Sequence, residues 1–450
     1  MLDQKFLMTV ETVRRLLHRH ATVHIQKIFS KLHPADIARL LRRFPHADQQ
    51  SLFNLVDDFK LAAQILRESD AQSVQEIVSH LEVKRIAQIV QAMDPDDAAD
   101  FIGRLAPETA EEILQAMHRD DSAEVEQLLL YPSESAGGIM TTNVLALSEE
   151  LTAGEAIAEV RRASEVEMVF YIYVVDEKGH LLGVTSLREI ILAEPTAPLK
   201  SFMNPNVLSV TATTDQEEVA KLVRRYNLLA IPVVDEENKL LGMVTVDDVV
   251  DVIYEEATED MLLMAGGPGE DLGTSSISTL VRKRAPWLLV SCVGGIVALQ
   301  IISHYQASLN KLIALAAFIP IVMGMGGNVG GQSASIIIAG LAVGRIERKA
   351  VWQVIFREVR VGFILGFVYG AVVGVVANLQ YAAAPLLGLT VGLSITGAMT
   401  LAATLASFIP LILSRLNIDP AFATAPFIQI SMDIIGITIY FNLANFLMFR

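Results

Sequence analysis

The chain has 450 residues, of which 52% are hydrophobic, and its formal net charge is −16. Residues 281–450 carry four acidic and eleven basic side chains, so residues 1–280 hold an excess of 23 acidic ones. Such an acidic surface repels nucleic acid and attracts cations, which excludes nucleic acid as a partner and favours ions. The single cysteine, Cys292, excludes a disulfide framework and a cysteine metal site.

Residues 1–133 are predicted to form an all-α, cytoplasmic helical solenoid. Three segments begin alike: His33-Pro-Ala-Asp, Asp94-Pro-Asp-Asp and Ala106-Pro-Glu-Thr. Proline at a first helical position, followed by acidic side chains, marks a helix start, because the missing N–H and the negative charge both fit a helix N-terminus. Repeated helix starts of this kind indicate stacked short helices.

Residues 136–260 contain an internal repeat. The recurring strings are Met140-Thr-Thr-Asn-Val-Leu-Ala-Leu with Met203-Asn-Pro-Asn-Val-Leu-Ser-Val, Val174-Val-Asp-Glu with Val233-Val-Asp-Glu, and Leu181-Leu-Gly with Leu240-Leu-Gly. Each copy is predicted to hold a strand, a helix that begins near Thr152 or Asp215, two strands across an Asp-Glu turn, and a second helix.

This repeat resembles a tandem pair of CBS domains, with copies at residues 134–200 and 201–258. The resemblance implies an α/β regulatory module that often binds adenine nucleotides such as ATP. In such domains a Ser or Thr and an Asp three residues later hold the ribose. The matching residues are Ser186 with Glu189 and Thr245 with Asp248. Glu189 stands where the family usually has Asp.

Two acidic clusters lie outside the repeated strings. The first comprises Asp94, Asp96, Asp97 and Asp100, and the second comprises Asp247, Asp248, Asp251, Glu255, Glu256, Glu259 and Asp260. Like charges at i,i+4 destabilise a helix by roughly 0.2–0.5 kcal/mol per pair. A solvated helix face is one explanation. The other is that two acidic surfaces separate when bare and close when divalent cations bridge them, which gives the closed state the higher ion affinity that a switch requires.

Five apolar runs near 286–304, 312–341, 361–381, 385–414 and 421–449 are long enough to cross a membrane. The basic flanking residues are Arg282, Lys283 and Arg284 before the first run, Arg345, Arg348, Lys349, Arg357 and Arg360 after the second, and Arg415 after the fourth. This alternation predicts a multi-pass protein of the plasma (inner) membrane with the N-terminal part in the cytoplasm and the C-terminus outside. We expect no signal peptide, because no basic segment followed by an apolar run opens the sequence.

The second run contains the string from Pro320 to Ser335, with five glycines, Asn328 and Gln332. Each glycine costs a helix about 1 kcal/mol relative to alanine, so the string predicts a poor helix. One explanation is close helix packing through small residues. The other is that backbone carbonyls and the two amides face a water-filled path.

Asp433 lies in the middle of the fifth run, with no lysine or arginine beside it in sequence. A carboxylate in hydrocarbon is costly, so we interpret it as part of a cation path, although a buried, neutral Asp is the alternative. Donors that are all oxygen atoms favour a hard ion such as Mg²⁺, which keeps its water shell. Five spans are too few to enclose a wide path, so we predict a homodimer in lipid, with the pore and two copies of Asp433 at the subunit interface.

Together, the string from Pro320 to Gln332, Asp433 in a fifth span, the CBS pair and the acidic helical domain are similar to the MgtE family of magnesium channels. The resemblance implies a connecting "plug" helix at 259–283, a five-helix domain at 284–450, and closure when cytoplasmic Mg²⁺ is high. It implies pore roles for Asp433 and Asn328. The implied sensor residues are Asp96, Asp100, Glu217, Asp248, Asp251, Glu256, Glu259 and Asp260. Gly331 and Ala425 stand where some members carry amides, and Asn227 where some carry Asp.

The sequence thus predicts a Mg²⁺-selective channel that mediates uptake and is closed by cytoplasmic Mg²⁺. Two alternatives remain open: a proton-coupled divalent-cation transporter (Mg²⁺, Co²⁺ or Mn²⁺), and a CBS-based nucleotide sensor without transport. An enzyme is not expected, because no nucleophile–base pair, metal triad or phosphate loop occurs.

Overall fold

The computed structural model describes residues 2–163, 170–264, 277–342, 351–416 and 425–449. The chain divides into two compact units, Met1–Tyr254 and Glu255–Arg450. The first contains stacked helices followed by two small sheets, and the second contains five helices of membrane-spanning length. These three parts are those that the sequence predicts, so the predicted fold class is confirmed.

Ten short helices form the N-terminal part. They are α1 (Leu2–His18), α2 (Thr22–Phe29), α3 (Pro34–Leu41), α4 (His46–Phe53), α5 (Phe59–Arg67), α6 (Ala71–Val78), α7 (Val83–Val90), α8 (Pro95–Gly103), α9 (Pro107–Ala116) and α10 (Arg119–Leu128). The three proline motifs do begin α3, α8 and α9. Helices α3, α4, α5, α7 and α8 each contact the second helix after them, which is the stacking of a solenoid. An apolar face of each helix, such as Ile86, Ile89 and Val90 of α7, is buried between its neighbours.

Each CBS copy has the predicted order of elements. The first holds β1 (Ala146–Ser148), α11 (Ala153–Arg162), β2 (Tyr171–Val175), β3 (Leu181–Ser186), α12 (Leu187–Leu192) and a short 3-10 helix (Leu199–Ser201); the second holds β4 (Val210–Thr211), α13 (Gln216–Tyr226), β5 (Ala230–Val234), β6 (Leu240–Thr245) and α14 (Val246–Met264). In each sheet the first strand is parallel, and the third antiparallel, to the central one. Thr152 and Asp215 cap α11 and α13, as predicted.

The repeated Met strings explain why the two copies occur as a pair. Thr141, next to Met140, exchanges backbone hydrogen bonds of 2.9 and 3.0 Å with Met243 of the other copy. Asn204, next to Met203, exchanges bonds of 2.8 and 3.0 Å with Val184. Each copy therefore lends a segment to the third strand of the other, and neither sheet is complete alone.

The membrane helices are α15 (Ile277–His304), α17 (Ala314–Ala342), α18 (Val351–Gln380), α19 (Leu387–Arg415) and α20 (Ala425–Met448), with a short α16 (Gln306–Lys311) after the first. The predicted second, fourth and fifth spans match these helices to within a few residues. The first and third predictions are wrong at their starts, because α15 begins nine residues before position 286 and α18 begins ten residues before position 361. Arg357 and Arg360 therefore lie in a helix and not in a loop.

The predicted connecting helix at 259–283 overlaps the end of α14 and the start of α15. Its central part, 265–276, lies outside the described residues. The boundary at 259 falls within α14, which is continuous from Val246 to Met264. The domain boundaries stay a prediction.

Candidate ion sites

Helix α8 of the solenoid and the start of α14 bring acidic side chains together within the first unit. The carboxylates of Asp96, Asp97 and Asp248 lie close enough to shift one another's pKa. The Oδ1 atom of Asp96 is buried, and within the described part of the chain it has no hydrogen-bond partner. A buried oxygen without a donor is costly for a folded protein. It is available to a cation.

Burial, together with the charges of Asp248 and Asp97, raises the pKa of Asp96 to about 8, although a hydrogen bond from Thr141 acts in the opposite direction. Burial raises the pKa of Asp248 to about 6, with Asp247 and Asp97 adding to the effect. In both cases the carboxylate is removed from water and faces other carboxylates, so the protein disfavours its ionised form.

Arg67 is the counter-charge of this cluster. Its Nη1 atom donates to Oδ2 of Asp97 at 3.2 Å, joining α5 to α8. Burial raises the pKa of Asp97 to about 6, and it would rise further without Arg67. One arginine against three carboxylates leaves the cluster negative.

The other predicted sensor residues have different surroundings. Burial raises the pKa of Asp100, and Arg104, one turn later, acts in the opposite direction. The Nη2 atom of Arg104 lies 3.7 Å from Oδ2 of Asp100. Glu217 forms an ion pair with Lys221 at 2.7 Å, and Asp251 is exposed on α14. Glu256, Glu259 and Asp260 lie on the last turns of α14, which belong to the second unit. Among the described residues, no three His, Cys, Asp or Glu side chains converge on one metal position.

In the membrane unit, Asp433 lies on α20 and is half-buried. The Nε2 atom of Gln429, one turn earlier, donates to Oδ1 of Asp433 at 3.2 Å. The same Gln429 amide lies against α17, because a Cβ atom at position 327 would be only 2.5 Å from its Nε2 atom. The carboxylate is thus beside the glycine string.

The glycine string is helical throughout, so the prediction of a poor helix is wrong. Gly327 and Gly330 receive the side chains of α20, as the packing interpretation predicts, whereas Gly324 and Gly331 have no neighbouring atom within 4 Å of a Cβ position. Asn328 and Gln332 are both exposed and lie one turn apart on α17. A membrane helix therefore presents an exposed amide face next to the helix that carries Asp433.

Comparison with known proteins decides the family. A profile described as "Divalent cation transporter" (MgtE) matches residues 319–443, one for the MgtE intracellular N domain matches 32–134, and one for the CBS domain matches 136–195 and 199–255. Magnesium transporter MgtE of Enterococcus faecalis is 33% identical over 449 residues, 99% of this chain and 98% of that one. The chain belongs to the MgtE family. Magnesium transporter MgtE of Thermus thermophilus is 37% identical over 328 residues, 72% of each chain.

A solved structure agrees with the MgtE assignment. The cytosolic domain of the Mg²⁺ channel MgtE in complex with ATP is 35% identical and covers 54% of this chain and 99% of its own, with a TM-score of 0.52. The family relatives are named as transporters, which points away from an enzyme.

The residues predicted to hold a ribose are engaged with their own helices. Glu189 accepts hydrogen bonds from the backbone N–H of Ser186 at 2.8 Å and from its hydroxyl at 2.9 Å, closing the cap of α12. These bonds lower the pKa of Glu189. The hydroxyl of Thr245 donates to Asp248, which belongs to the acidic cluster. Glu189 and Asp248 thus already accept hydrogen bonds from Ser186 and Thr245 of their own pairs, and ATP binding here stays a prediction.

Sequence reasoning missed three polar residues of this MgtE chain. They are Gln429, Arg67 and Glu358. Glu358 is buried in α18 and accepts from the hydroxyl of Ser333 at 3.0 Å, so Asp433 is not the only carboxylate in the membrane helices. A polar residue four positions before Asp433 was a signal in the sequence, whereas the partners of Arg67 and Glu358 come from distant elements.

Proposed function

We propose that the protein is a channel that carries Mg²⁺ across the plasma membrane and closes when cytoplasmic Mg²⁺ binds its acidic cluster. The observation that carries this proposal is a half-buried carboxylate, Asp433, on a membrane helix that packs against a helix with an exposed amide face. Polar side chains at membrane depth face protein or water, and they mark ion pathways.

The donor chemistry supports Mg²⁺. The polar side chains of α17 and α20 include the carboxylate of Asp433, the adjacent amide of Gln429, and the exposed amides of Asn328 and Gln332. All present oxygen atoms, and hard divalent cations bind oxygen. Because Mg²⁺ loses its water reluctantly, we expect the ion to pass with its water shell, with the carboxylate and amides hydrogen-bonded to that water.

A homodimer supplies the rest of the path. Asn328 and Gln332 would face lipid if the chain acted alone, which is unfavourable for two amides. A two-fold axis beside α17 and α20 would place two copies of Asp433 around one hydrated ion. The apolar outer face of α18, exposed at residues such as Phe363 and Phe367, would contact lipid.

The acidic cluster supports closure by Mg²⁺. Asp96 has a buried oxygen without a hydrogen-bond partner, and the negative charges of Asp97 and Asp248 repel its own. Mg²⁺ usually takes one or two carboxylates and keeps several waters, so it does not require three converging acids. A cation at Asp96 and Asp248 would join the solenoid to the second CBS copy. High Mg²⁺ would then favour the conformation in which the solenoid and the second CBS copy are held together, because that conformation binds the ion more tightly.

We further propose that the N-terminal unit is cytoplasmic and that the C-terminus is outside. The basic residues that flank the first, third and fourth runs support this orientation. Residues 1–133, 134–200, 201–258, 259–283 and 284–450 serve as the solenoid, the two CBS domains, the connecting helix and the membrane domain.

The test is Mg²⁺ flux into liposomes that contain the purified protein and a Mg²⁺-sensitive dye. We expect the wild-type protein to carry Mg²⁺ without a proton gradient, and Asp433→Ala to abolish the flux. Asn442→Ala is the matched control, because Asn442 lies on the same helix and its amide donates to the carbonyl of Thr438, one turn earlier. A flux that required a proton gradient would indicate the coupled transporter instead. Normal flux in Asp433→Ala would remove Asp433 from the path.

A further inference from the structure

Gln429 is a polar residue of α20 that contacts both Asp433 and the glycine string of α17. It lies four residues before Asp433, so the two side chains share one face of the helix. Its amide is exposed, and its Nε2 atom donates to Oδ1 of Asp433 at 3.2 Å. The reverse orientation would put the amide oxygen against a carboxylate and is electrostatically unfavourable.

A glycine on the facing helix makes room for this amide. A Cβ atom at position 327 would lie 2.5 Å from Nε2, 2.7 Å from Oε1 and 2.9 Å from Cδ of Gln429. Real side-chain contacts are not that short, so any other residue at 327 would displace the amide from α17. The neighbouring residue of the string, Asn328, is exposed. The amide of Gln429 is therefore held between a glycine of α17 and the carboxylate of α20.

We propose that Gln429 is a positioning and specificity-determining residue of the ion path. Its amide nitrogen fixes the direction of the Asp433 carboxylate, and its amide oxygen accepts hydrogen bonds from the water shell of a divalent cation. A hydrogen bond to an ionised acceptor is stronger than one between neutral groups and depends on direction, so it defines a geometry and not merely a charge. The inference rests on the proposed function, since it assumes that Asp433 faces the ion.

The chemistry predicts selection by the water shell. A fixed carboxylate next to a neutral acceptor fits an ion that presents water protons at a set distance from its centre. An ion that sheds its water easily gains less from such a site. Gln429 should therefore matter more for recognition of a hydrated divalent ion than for the transport rate of any cation.

The test uses cobalt(III) hexammine, whose six ammonia ligands do not exchange and resemble the shell of hydrated Mg²⁺. Block of Mg²⁺ flux by this ion is measured for the wild-type protein and for Gln429→Met, Gln429→Ala and Gly327→Ala. Methionine keeps the volume and packing of glutamine but has no donor. We expect the concentration for half-block to rise about tenfold in all three variants, in line with the loss of one charge-assisted hydrogen bond.

Two matched controls separate the amide from general effects on the helices. Asn442→Ala removes an amide that lies thirteen residues after Gln429 and nine after Asp433, which places it on the far face of α20 from both. Gly295→Ala adds a methyl group to another membrane helix at a position with no atom within 4 Å. Cobalt(III) hexammine should block Mg²⁺ flux through both of these variants at the same concentration as in the wild type.

A Gln429→Met variant that conducts and is blocked like the wild type would overturn the inference, because packing alone would then explain Gln429. The Gln429 variants decide the matter if Gly327→Ala does not fold. Absence of Mg²⁺ flux in the wild-type protein would instead overturn the proposed function on which the inference rests.

Discussion

Asp96 and Asp433 are both carboxylates in places where a charge is costly, and their surroundings differ. Asp433 has an amide donor, Gln429, one turn away on its own helix. Asp96 has a buried oxygen without a partner and two acidic neighbours, Asp97 and Asp248. The first carboxylate is oriented before any ion arrives, whereas the second is held under repulsion that an ion would relieve. A permeation site requires a carboxylate that is already oriented, and a sensor site requires one whose repulsion is relieved when the ion binds.

Replacing Asp96 by asparagine tests the repulsion directly. Without Mg²⁺ and at about pH 9, above the pKa of Asp96, Asp96→Asn should stabilise the first unit by about 1–3 kcal/mol, because it removes a buried charge whose oxygen has no donor. With Mg²⁺ present, the variant should gain less stability than the wild type. Urea unfolding of the detergent-solubilised protein, with and without Mg²⁺, measures both effects. Asp36→Asn, in the first turn of another solenoid helix, is the control. Equal Mg²⁺ stabilisation of the variant and the wild type would remove Asp96 from the sensor.

At the scale of elements, the CBS pair is joined by a short segment of each copy that lies on the third strand of the other. Glycines occupy the contact positions, Gly183 against Met203 and Gly242 against Met140. This explains the sequence repeat physically, since the Leu-Leu-Gly string and the Met string are the two sides of one contact. A regulatory pair built in this way must fold as one body.

Gly242→Ala should therefore destabilise the first unit. A Cβ atom there would collide with the backbone carbonyl of Thr141, which cannot move without breaking its pairing with Met243. We expect a loss of about 1–3 kcal/mol, as for overpacking of a core. Thermal unfolding followed by circular dichroism measures it. Gly103→Ala, whose nearest neighbour would be at 3.6 Å, should not be destabilised. If the two variants melt alike, the contact is not close-packed.

The sequence predicted elements well where a local pattern decides them. Proline at the start of α3, α8 and α9, the caps Thr152 and Asp215, and the apolar runs all act within a few residues. The start of the third span was predicted too late because Arg357, Glu358 and Arg360 interrupt the apolar run, although all three lie within α18. Glu358 is buried only because Ser333 of another helix faces it, and no pattern within α18 shows that.

The candidate sites follow the same rule. Asp433 could be found in the sequence because an isolated acid in an apolar run is unusual. The roles of Arg67 and Gly327 could not, since they depend on α5 meeting α8 and on α17 meeting α20. The glycine string was predicted to be irregular from its helix propensity, but packing of its helix against α19 and α20 outweighs a propensity cost of about 1 kcal/mol per residue.

At the scale of the whole molecule, the acidic N-terminal unit precedes a membrane unit with a small basic excess. We expect the acidic cluster to make the first unit sensitive to both protons and divalent cations. Its carboxyl groups have raised pKa values, about 8 for Asp96 and about 6 for Asp97 and Asp248, against about 4 for an unfolded Asp. The native state thus binds more protons than the unfolded state between these values.

It follows that the Mg²⁺-free protein should lose stability as pH rises from about 4 to about 8, the window set by the unfolded and folded pKa values. Mg²⁺ should stabilise it more at pH 8 than at pH 5, because protons compete for the same carboxylates at the lower pH. Amide hydrogen exchange of the α8 backbone in the full-length protein measures this locally. The backbone of α11, in the first CBS copy, serves as the internal reference. Faster exchange of α8 at pH 5 than at pH 8, after correction for intrinsic rates, would contradict the sign.

The most direct test of the account is single-channel recording from inside-out patches, with Mg²⁺ as the charge carrier and no proton gradient. We predict Mg²⁺ current at low cytoplasmic Mg²⁺ that ceases as cytoplasmic Mg²⁺ rises, and a variant with Asp248, Asp251, Glu256 and Glu259 all neutralised that stays open under the same conditions. A wild-type current that does not depend on cytoplasmic Mg²⁺, or a neutralised variant that closes normally, would contradict it.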